Sequence, residues 1–206
     1  MEQLIQTGTD RARARGVAIV LHGRGGTASG MKPLLAALDL PEFAFLIPQA
    51  PGNTWYPYGF MVDESDNEPF LQQSLERIHS LVASVQAEGL PSSRIYIIGF
   101  SQGACLALEY VATYPRVYGG VCAFTGGLIG KHLPEEKYQG NLAGTPIFIG
   151  ASERDIHVPM NRIRLSGERL SRMGAVVKVL GFDDALHTIR EEEAVAAKEF
   201  VFREHI

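Results

Sequence analysis

The chain has 206 residues, enough for one domain with a substantial core. Its 46% hydrophobic and 20% charged content is that of an ordinary globular protein. With 19 basic against 23 acidic residues, the net charge of −4 gives no electrostatic basis for binding nucleic acid or an anionic membrane surface. No apolar run approaches the roughly 18 residues of a membrane span, and the first sixteen residues have no apolar core of the kind a signal peptide needs. Cys105 and Cys122 each sit in an apolar stretch, without CxxC or Cys/His metal spacing. They read as buried free thiols in a reducing compartment. The expectation is a cytoplasmic protein with no stable membrane insertion.

Short apolar runs rich in β-branched and aromatic residues occupy 17–21, 43–47, 95–98, 120–124, 147–149 and 176–180. They are too short for helices and read as strands buried on both faces. Between them lie helical patterns. Leu71, Leu75, Ile78, Val82 and Val85 recur at steps of four and three, which lines one helix face, and Gly89 and Pro91 stop that helix. Further helices are expected over 104–113, 159–173 and 189–203, the last opening on Glu191, Glu192 and Glu193, where acidic side chains favour a helix N-terminus. Strands alternating with helices predict a mostly parallel α/β sheet in a single domain over 1–206. The one long irregular stretch, 48–69, carries Trp55, Tyr56, Tyr58 and Phe60. A loop of that length with that many aromatics reads as an ordered cap or substrate loop.

The segment IYIIGFSQGACLALEY (95–110) joins a strand to a helix through Gly99-Phe100-Ser101-Gln102-Gly103. Gly-x-Ser-x-Gly alone is a weak pattern, but here a strand precedes it and a helix follows at once. In such an elbow the serine takes a strained backbone conformation that pushes its Oγ out at the C-terminal edge of the sheet. Glycine at both flanking positions leaves room for strand and helix to approach. The helix N-terminus also directs its free N–H groups at the place where negative charge would develop.

A serine nucleophile needs a base and a group to orient that base. Of six histidines, those after the last strand are His187 and His205, and His205 is the penultimate residue. His187 lies between the run ending at Leu180 and the final helix, and is assigned as general base and acid. The orienting acid is sought after the strand at 147–149, where Glu153 and Asp155 stand. Asp155, just before the Val158-Pro159 turn, is preferred; Asp183 and Asp184 are rivals by proximity to His187. His157 reads as a loop residue near the site, since no second ligand has metal spacing with it. After the first buried strand comes His22-Gly23-Arg24-Gly25-Gly26. Its glycines free backbone N–H groups to face an oxyanion, and the amides of Arg24 and Gln102 are the expected pair. A phosphate-binding reading fails for want of a following Gly-Lys-Ser/Thr. His22 is read as a brace for this loop. Trp55, Tyr58, Phe60, Met61 and Phe124 are the candidate substrate-pocket residues, with Tyr56 of the same loop able to join them.

LHGRGG (21–26), PQAP (48–51), GFSQGA (99–104), DIHVP (155–159) and LHT (186–188) together resemble the phospholipase/carboxylesterase family of α/β-hydrolases, which includes acyl-protein thioesterases and small bacterial carboxylesterases. The resemblance runs from about residue 16 to 202. It implies a Ser101–Asp155–His187 triad, an acyl-serine intermediate, no cofactor or metal, and a short cap over an open acyl groove. Acyl-protein thioesterases carry HGLGD where this chain has HGRGG, which draws it toward the bacterial branch, and nothing here points to protein depalmitoylation. The reading is therefore a serine hydrolase of short- to medium-chain esters or thioesters acting on a small-molecule substrate. The rivals are an idle binding protein on the same fold and a lactone or dienelactone hydrolase, which commonly uses cysteine as nucleophile. The sequence leaves the oligomeric state open, a homodimer included.

Overall fold

The computed structural model describes residues 4–203, so His205 lies outside the described residues. Among these residues seven strands make one sheet: β1 (Leu4–Gly8), β2 (Gly16–Leu21), β3 (Phe43–Pro48), β4 (Ile95–Phe100), β5 (Gly120–Phe124), β6 (Pro146–Ser152) and β7 (Val176–Phe182). Their order across the sheet is β1-β3-β2-β4-β5-β6-β7, with β1 antiparallel to β3 and every other pair parallel. The helices are α1 (Lys32–Leu38), α2 (Glu64–Asn67), α3 (Phe70–Ala87), α4 (Gln102–Thr113), α5 (Met160–Arg172) and α6 (Glu191–Val201).

The period of two along each strand sorts its side chains between two cores. Val17, Ile19 and Leu21 of β2 meet α3, α4 and α5 on one face, while Ala18 and Val20 meet α1 and α6 on the other. In α3 the periodic set Leu71, Leu75, Ile78, Val82 and Val85 is buried. Each such side chain contributes roughly 1.5–3 kcal/mol through removal from water.

The differences from the sequence reading concern short or peripheral elements. β1, LIQTG, has no apolar alternation and forms only because the edge of β3 offers it a partner. α1 spans seven residues, too few to display a period, yet buries Leu34, Leu35 and Leu38. β7 is expected to be covered on both faces but closes the sheet, and Val176 is exposed. The stretch at 48–69 contains a 3-10 turn at Pro51–Asn53 and the short α2. A partly buried charge network ties it to the body of the protein. Lys137 pairs with Glu64 of α2 and lies 2.6 Å from Glu109 of α4. The other Glu109 oxygen accepts the Ile129 N–H at 2.8 Å. Burial pushes the Glu109 carboxyl up, opposed by Lys137.

β2, β4 and α4 come together with no space for a side chain between them. A Cβ on Gly99 would lie 2.2 Å from the Gly103 carbonyl oxygen, and one on Gly103 would lie 2.3 Å from that of Leu21. On the opposite face, α6 lays the Glu193 carboxyl against Gly150 of β6, where a Cβ would meet Oε1 at 2.3 Å. Glu193 is fully buried, and its Oε1 has no protein hydrogen-bond partner among the described residues.

Two outcomes follow from this packing. Gly103→Ala forces α4 off β2 and is expected to destabilise the protein by about 1–3 kcal/mol in chemical denaturation; a change within ~0.5 kcal/mol would mean the helix moves aside freely. Burial raises the Glu193 carboxyl from 4.5 to about 7. A raised folded-state value favours folding below 4.5, where the group is protonated in both states, and that advantage is lost as pH rises through about 7. The stability of Glu193→Gln relative to the unmodified protein should therefore climb by up to about 3 kcal/mol across this window and then level off. A difference that does not vary with pH would refute the assignment.

Candidate active site

Ser101 sits between β4 and α4 with φ 53° and ψ −117°, a left-handed conformation that a residue with a side chain seldom takes. It is held from both sides: its N–H donates to the Phe124 carbonyl at 2.9 Å, and its carbonyl accepts the Cys105 N–H at 3.0 Å. The strain turns Oγ away from the sheet toward His187, in the loop between β7 and α6. Ser101 Oγ lies 2.8 Å from His187 Nε2, and His187 Nδ1 lies 2.7 Å from Asp155 Oδ2.

Asp155 follows β6. Its side chain is fully buried, and Oδ1 accepts the N–H groups of His157 at 2.7 Å and Val158 at 3.0 Å. An ionised carboxylate only accepts, so Nδ1 carries the imidazole proton and Nε2 is left to accept from the serine hydroxyl. The rings of Phe100 and His157 flank His187, with centroids 5.4 Å and 5.1 Å away.

The rival acids are engaged elsewhere. Glu153 pairs with Arg164 at 3.0 Å, and Asp183 pairs with Arg154. Asp184 accepts the Leu186 N–H at 2.9 Å and the Arg190 Nε–H at 2.9 Å. The hydrogen bond from Arg190 holds its carboxyl down at about 2.

The glycine-rich loop at 22–26 closes on itself through Gly26 N–H to the Gly23 carbonyl, 3.0 Å, and ties to the aromatic loop through Gly25 N–H to the Asn53 carbonyl, 2.7 Å. His22 braces it, as expected. Nδ1–H donates to the Gly23 carbonyl at 2.7 Å, and Nε2 accepts the Ala50 N–H at 3.1 Å. Burial lowers the His22 pKa, consistent with a neutral ring in this arrangement. The backbone N–H groups of Arg24 and Gln102 donate to no protein acceptor among the described residues, and both residues line the cavity beside Ser101.

Their side chains do something sequence reasoning missed. Gln102 Oε1 accepts the Trp55 N–H at 3.0 Å and the Thr54 hydroxyl at 3.2 Å, while Nε2 donates to the Tyr56 carbonyl at 2.8 Å. The Arg24 guanidinium donates to Thr54 Oγ1 at 3.0 Å, to the Pro57 carbonyl at 2.8 Å and to the Tyr58 carbonyl. Both side chains are therefore committed to holding the aromatic loop over the serine.

The cavity at Ser101 has a volume of about 300 Å³. Of the five pocket residues expected from sequence, Phe60 lines it. Trp55 is buried instead as the loop's anchor, its indole N–H donating to the His22 carbonyl at 2.8 Å. Phe124 packs in the core beneath, on the α1 and α6 face. Tyr58 and Met61 turn outward to solvent. Tyr56, Cys105 and Val158 take the places left. Cys105 was discoverable, since it stands one helical turn beyond Ser101; Tyr56 belongs to the aromatic set of the 48–69 loop, and only the loop's pose singles it out from Trp55 and Tyr58 as the one turned inward. Burial pushes the Cys105 thiol up to about 12, which keeps it protonated and unreactive.

A concavity of about 640 Å³ beside Gly8 and Arg11 shares no lining residue with this site. Among the described residues no group of three or more His, Cys, Asp or Glu side chains is arranged to hold a metal ion, and no helix is long and apolar enough to cross a membrane.

Comparison with known proteins gives the family. The model of the phospholipase/carboxylesterase family matches residues 3–205. An acyl-protein thioesterase 1 from Debaryomyces hansenii is 29% identical, with 91% of this chain and 90% of that protein covered. One from Saccharomyces cerevisiae is 32% identical over 71% of this chain and 73% of its own. The crystal structure of a phospholipase/carboxylesterase from Dyadobacter fermentans superposes with a TM-score of 0.94 at 41% identity, covering 98% of this chain and 97% of that one. The α/β-hydrolase fold, the hydrolase relatives and the matched length lead to one conclusion: this chain belongs to the phospholipase/carboxylesterase family and is a carboxylic ester hydrolase.

Proposed function

We propose that the chain cleaves short- to medium-chain carboxylic esters through a Ser101–His187–Asp155 triad and an acyl-enzyme intermediate. The observation that carries this reading is the unbroken hydrogen-bond chain from Ser101 Oγ to His187 Nε2, 2.8 Å, and from His187 Nδ1 to Asp155 Oδ2, 2.7 Å, at the wall of a cavity. In the first step Ser101 Oγ bonds to the ester carbonyl carbon while its proton passes to His187 Nε2. The carbonyl oxygen becomes an oxyanion, received by the N–H groups of Arg24 and Gln102, and the N-terminus of α4 favours the same charge. Collapse breaks the bond to the alcohol, which leaves with the proton from Nε2. Water then attacks the acyl-serine ester, His187 takes its proton and returns it to Ser101, and the acid departs. Asp155 remains ionised and stabilises the imidazolium formed in each half.

The cavity sets the acyl group. Tyr56, Phe60, Cys105 and Val158 give it an apolar wall. A thioester would react by the same steps, with a thiol as leaving group. The proposed compartment is the cytoplasm, in keeping with two buried cysteines that are both free.

The test is a series of p-nitrophenyl esters from acetate to decanoate, with the unmodified enzyme beside Ser101→Ala. Ser101→Ala is expected to lose at least ~10³-fold in kcat. Turnover that survives this substitution would sink the mechanism. In the same series Phe60→Ala should move the preferred acyl chain to greater length by widening the cavity; an unchanged chain-length profile would remove Phe60 from the acyl wall.

A further inference from the structure

The loop carrying His187 and the turn carrying Asp155 leave different strands, and the 2.7 Å contact between them requires the two segments to be held in register. The ladder between β6 and β7 is extended by two backbone bonds, Glu153 N–H to the Phe182 carbonyl at 2.8 Å and Arg154 N–H to the Asp184 carbonyl at 3.0 Å. Beyond these, the chain leading to His187 is held by side chains. The N–H of Leu186 donates to Asp184 Oδ1 at 2.9 Å, and the carbonyl of Leu186 accepts the Ser152 hydroxyl.

Both of those side chains converge on Arg190. Its Nε–H donates to Asp184 Oδ2 at 2.9 Å, and Nη2 donates to Asp184 Oδ1 as well, making a two-pronged pair. Nη2 also donates to Ser152 Oγ at 2.7 Å. Because Ser152 Oγ accepts there, its own proton is directed to the Leu186 carbonyl, so the polarity of the relay is fixed. On the far side, Nη1 meets Glu193 Oε2 at 3.3 Å, and the guanidinium stacks on Phe182 with 4.6 Å to the ring centroid. The Arg190 side chain is only 12% exposed, whereas the parallel Arg154–Asp183 pair is open to solvent. Shielding of this kind separates a pair that fixes geometry from one that salt and water dilute.

We propose that Arg190 is a positioning residue for ester hydrolysis: its guanidinium, seated on the buried Glu193, clamps Ser152 of the acid segment to Asp184 and Leu186 of the base loop and so places His187 between Ser101 and Asp155. This rests on the triad reading given above. The planar fork is what the role requires, because a lysine ammonium on a flexible stem cannot serve Asp184 with two parallel donors while reaching Ser152. Release of the clamp displaces His187 and leaves the apolar wall of Tyr56, Phe60, Cys105 and Val158 in place, and a displacement of about 1 Å in a reacting group costs on the order of 100-fold in rate.

The experiment measures kcat and KM with p-nitrophenyl acetate for Arg190→Gln, Arg190→Lys, Ser152→Ala and Arg190→Gln/Ser152→Ala, alongside melting temperature and the Ser101→Ala control. Arg190→Gln and Arg190→Lys are both expected to lose at least about ten-fold in kcat with KM within about two-fold. Ser152→Ala should lose a smaller factor in the same parameter, and the double variant should be no worse than Arg190→Gln alone, because the two act as one unit. A lowered melting temperature with kcat kept within about two-fold in both Arg190 single variants would make Arg190 purely structural and overturn the inference. So would full rescue by Arg190→Lys. If Arg190→Gln fails to fold, Ser152→Ala and Asp184→Asn decide the question, each removing one contact of the clamp. Activity persisting in Ser101→Ala marks failure of the triad reading; a dead Ser101→Ala beside fully active clamp variants marks failure of this inference alone.

Discussion

The rest of this structure depends on one strained residue. Ser101, at φ 53° and ψ −117°, occupies backbone space that costs on the order of 1–3 kcal/mol for a residue with a Cβ. The surroundings must outweigh that cost, and they do so by proximity. Gly99 and Gly103 let β4, α4 and β2 approach to distances that exclude any side chain, and the Ser101 amide and carbonyl are both bonded. The same close approach brings the glycine-rich loop after β2 beside the first turn of α4. Ser101 and the Arg24 and Gln102 amides thus come together through a single packing event.

Around that point the protein uses side chains as ties between loops. Gln102 and Arg24, whose amides face the cavity, spend their side chains on the carbonyls and amide of 54–58. Lys137 joins Glu64 of the aromatic loop to the buried Glu109. Arg190 joins the end of β6 to the loop after β7. A buried polar group without a partner is expensive, so each such tie is satisfied at both ends or nearly so. The exception, Glu193 Oε1, belongs to the carboxyl that burial raises to about 7. The chemistry lies on loops, and the loops are rigid because charged and amide side chains fasten them to the sheet.

Much of this was legible in the sequence. The strands of the sheet interior and α3 follow from apolar period alone, since burial on both faces of a parallel sheet, or along one helix face, leaves a pattern that no neighbour is needed to interpret. Gly99-Phe100-Ser101-Gln102-Gly103 announced the elbow, and the order of segments along the chain singled out Asp155 and His187 for the two positions the structure brings within hydrogen-bond distance. Less was legible at the margins. β1 exists through its partner's edge, α1 is shorter than two full periods, and β7 carries a buried strand's composition at the end of a sheet.

The cavity wall marks the boundary most clearly. Sequence identified the stretch at 48–69 as ordered and relevant, because an aromatic-rich segment of that length has to pack somewhere. Which aromatic packs inward depends on the loop's pose, and that pose is set by contacts from residues far along the chain, Gln102 on Trp55 and Tyr56 and Arg24 on Pro57 and Tyr58. Trp55 and Phe124 went to the core, Tyr58 and Met61 to solvent, and Tyr56 and Cys105 to the cavity. The sequence by itself determined the fold class, the elbow and the residue types able to do the chemistry, because local pattern and chain order encode those. Only the tertiary structure decided what lines the cavity and which side chains meet around His187, because those depend on contacts between segments whose separation in sequence carries no signal.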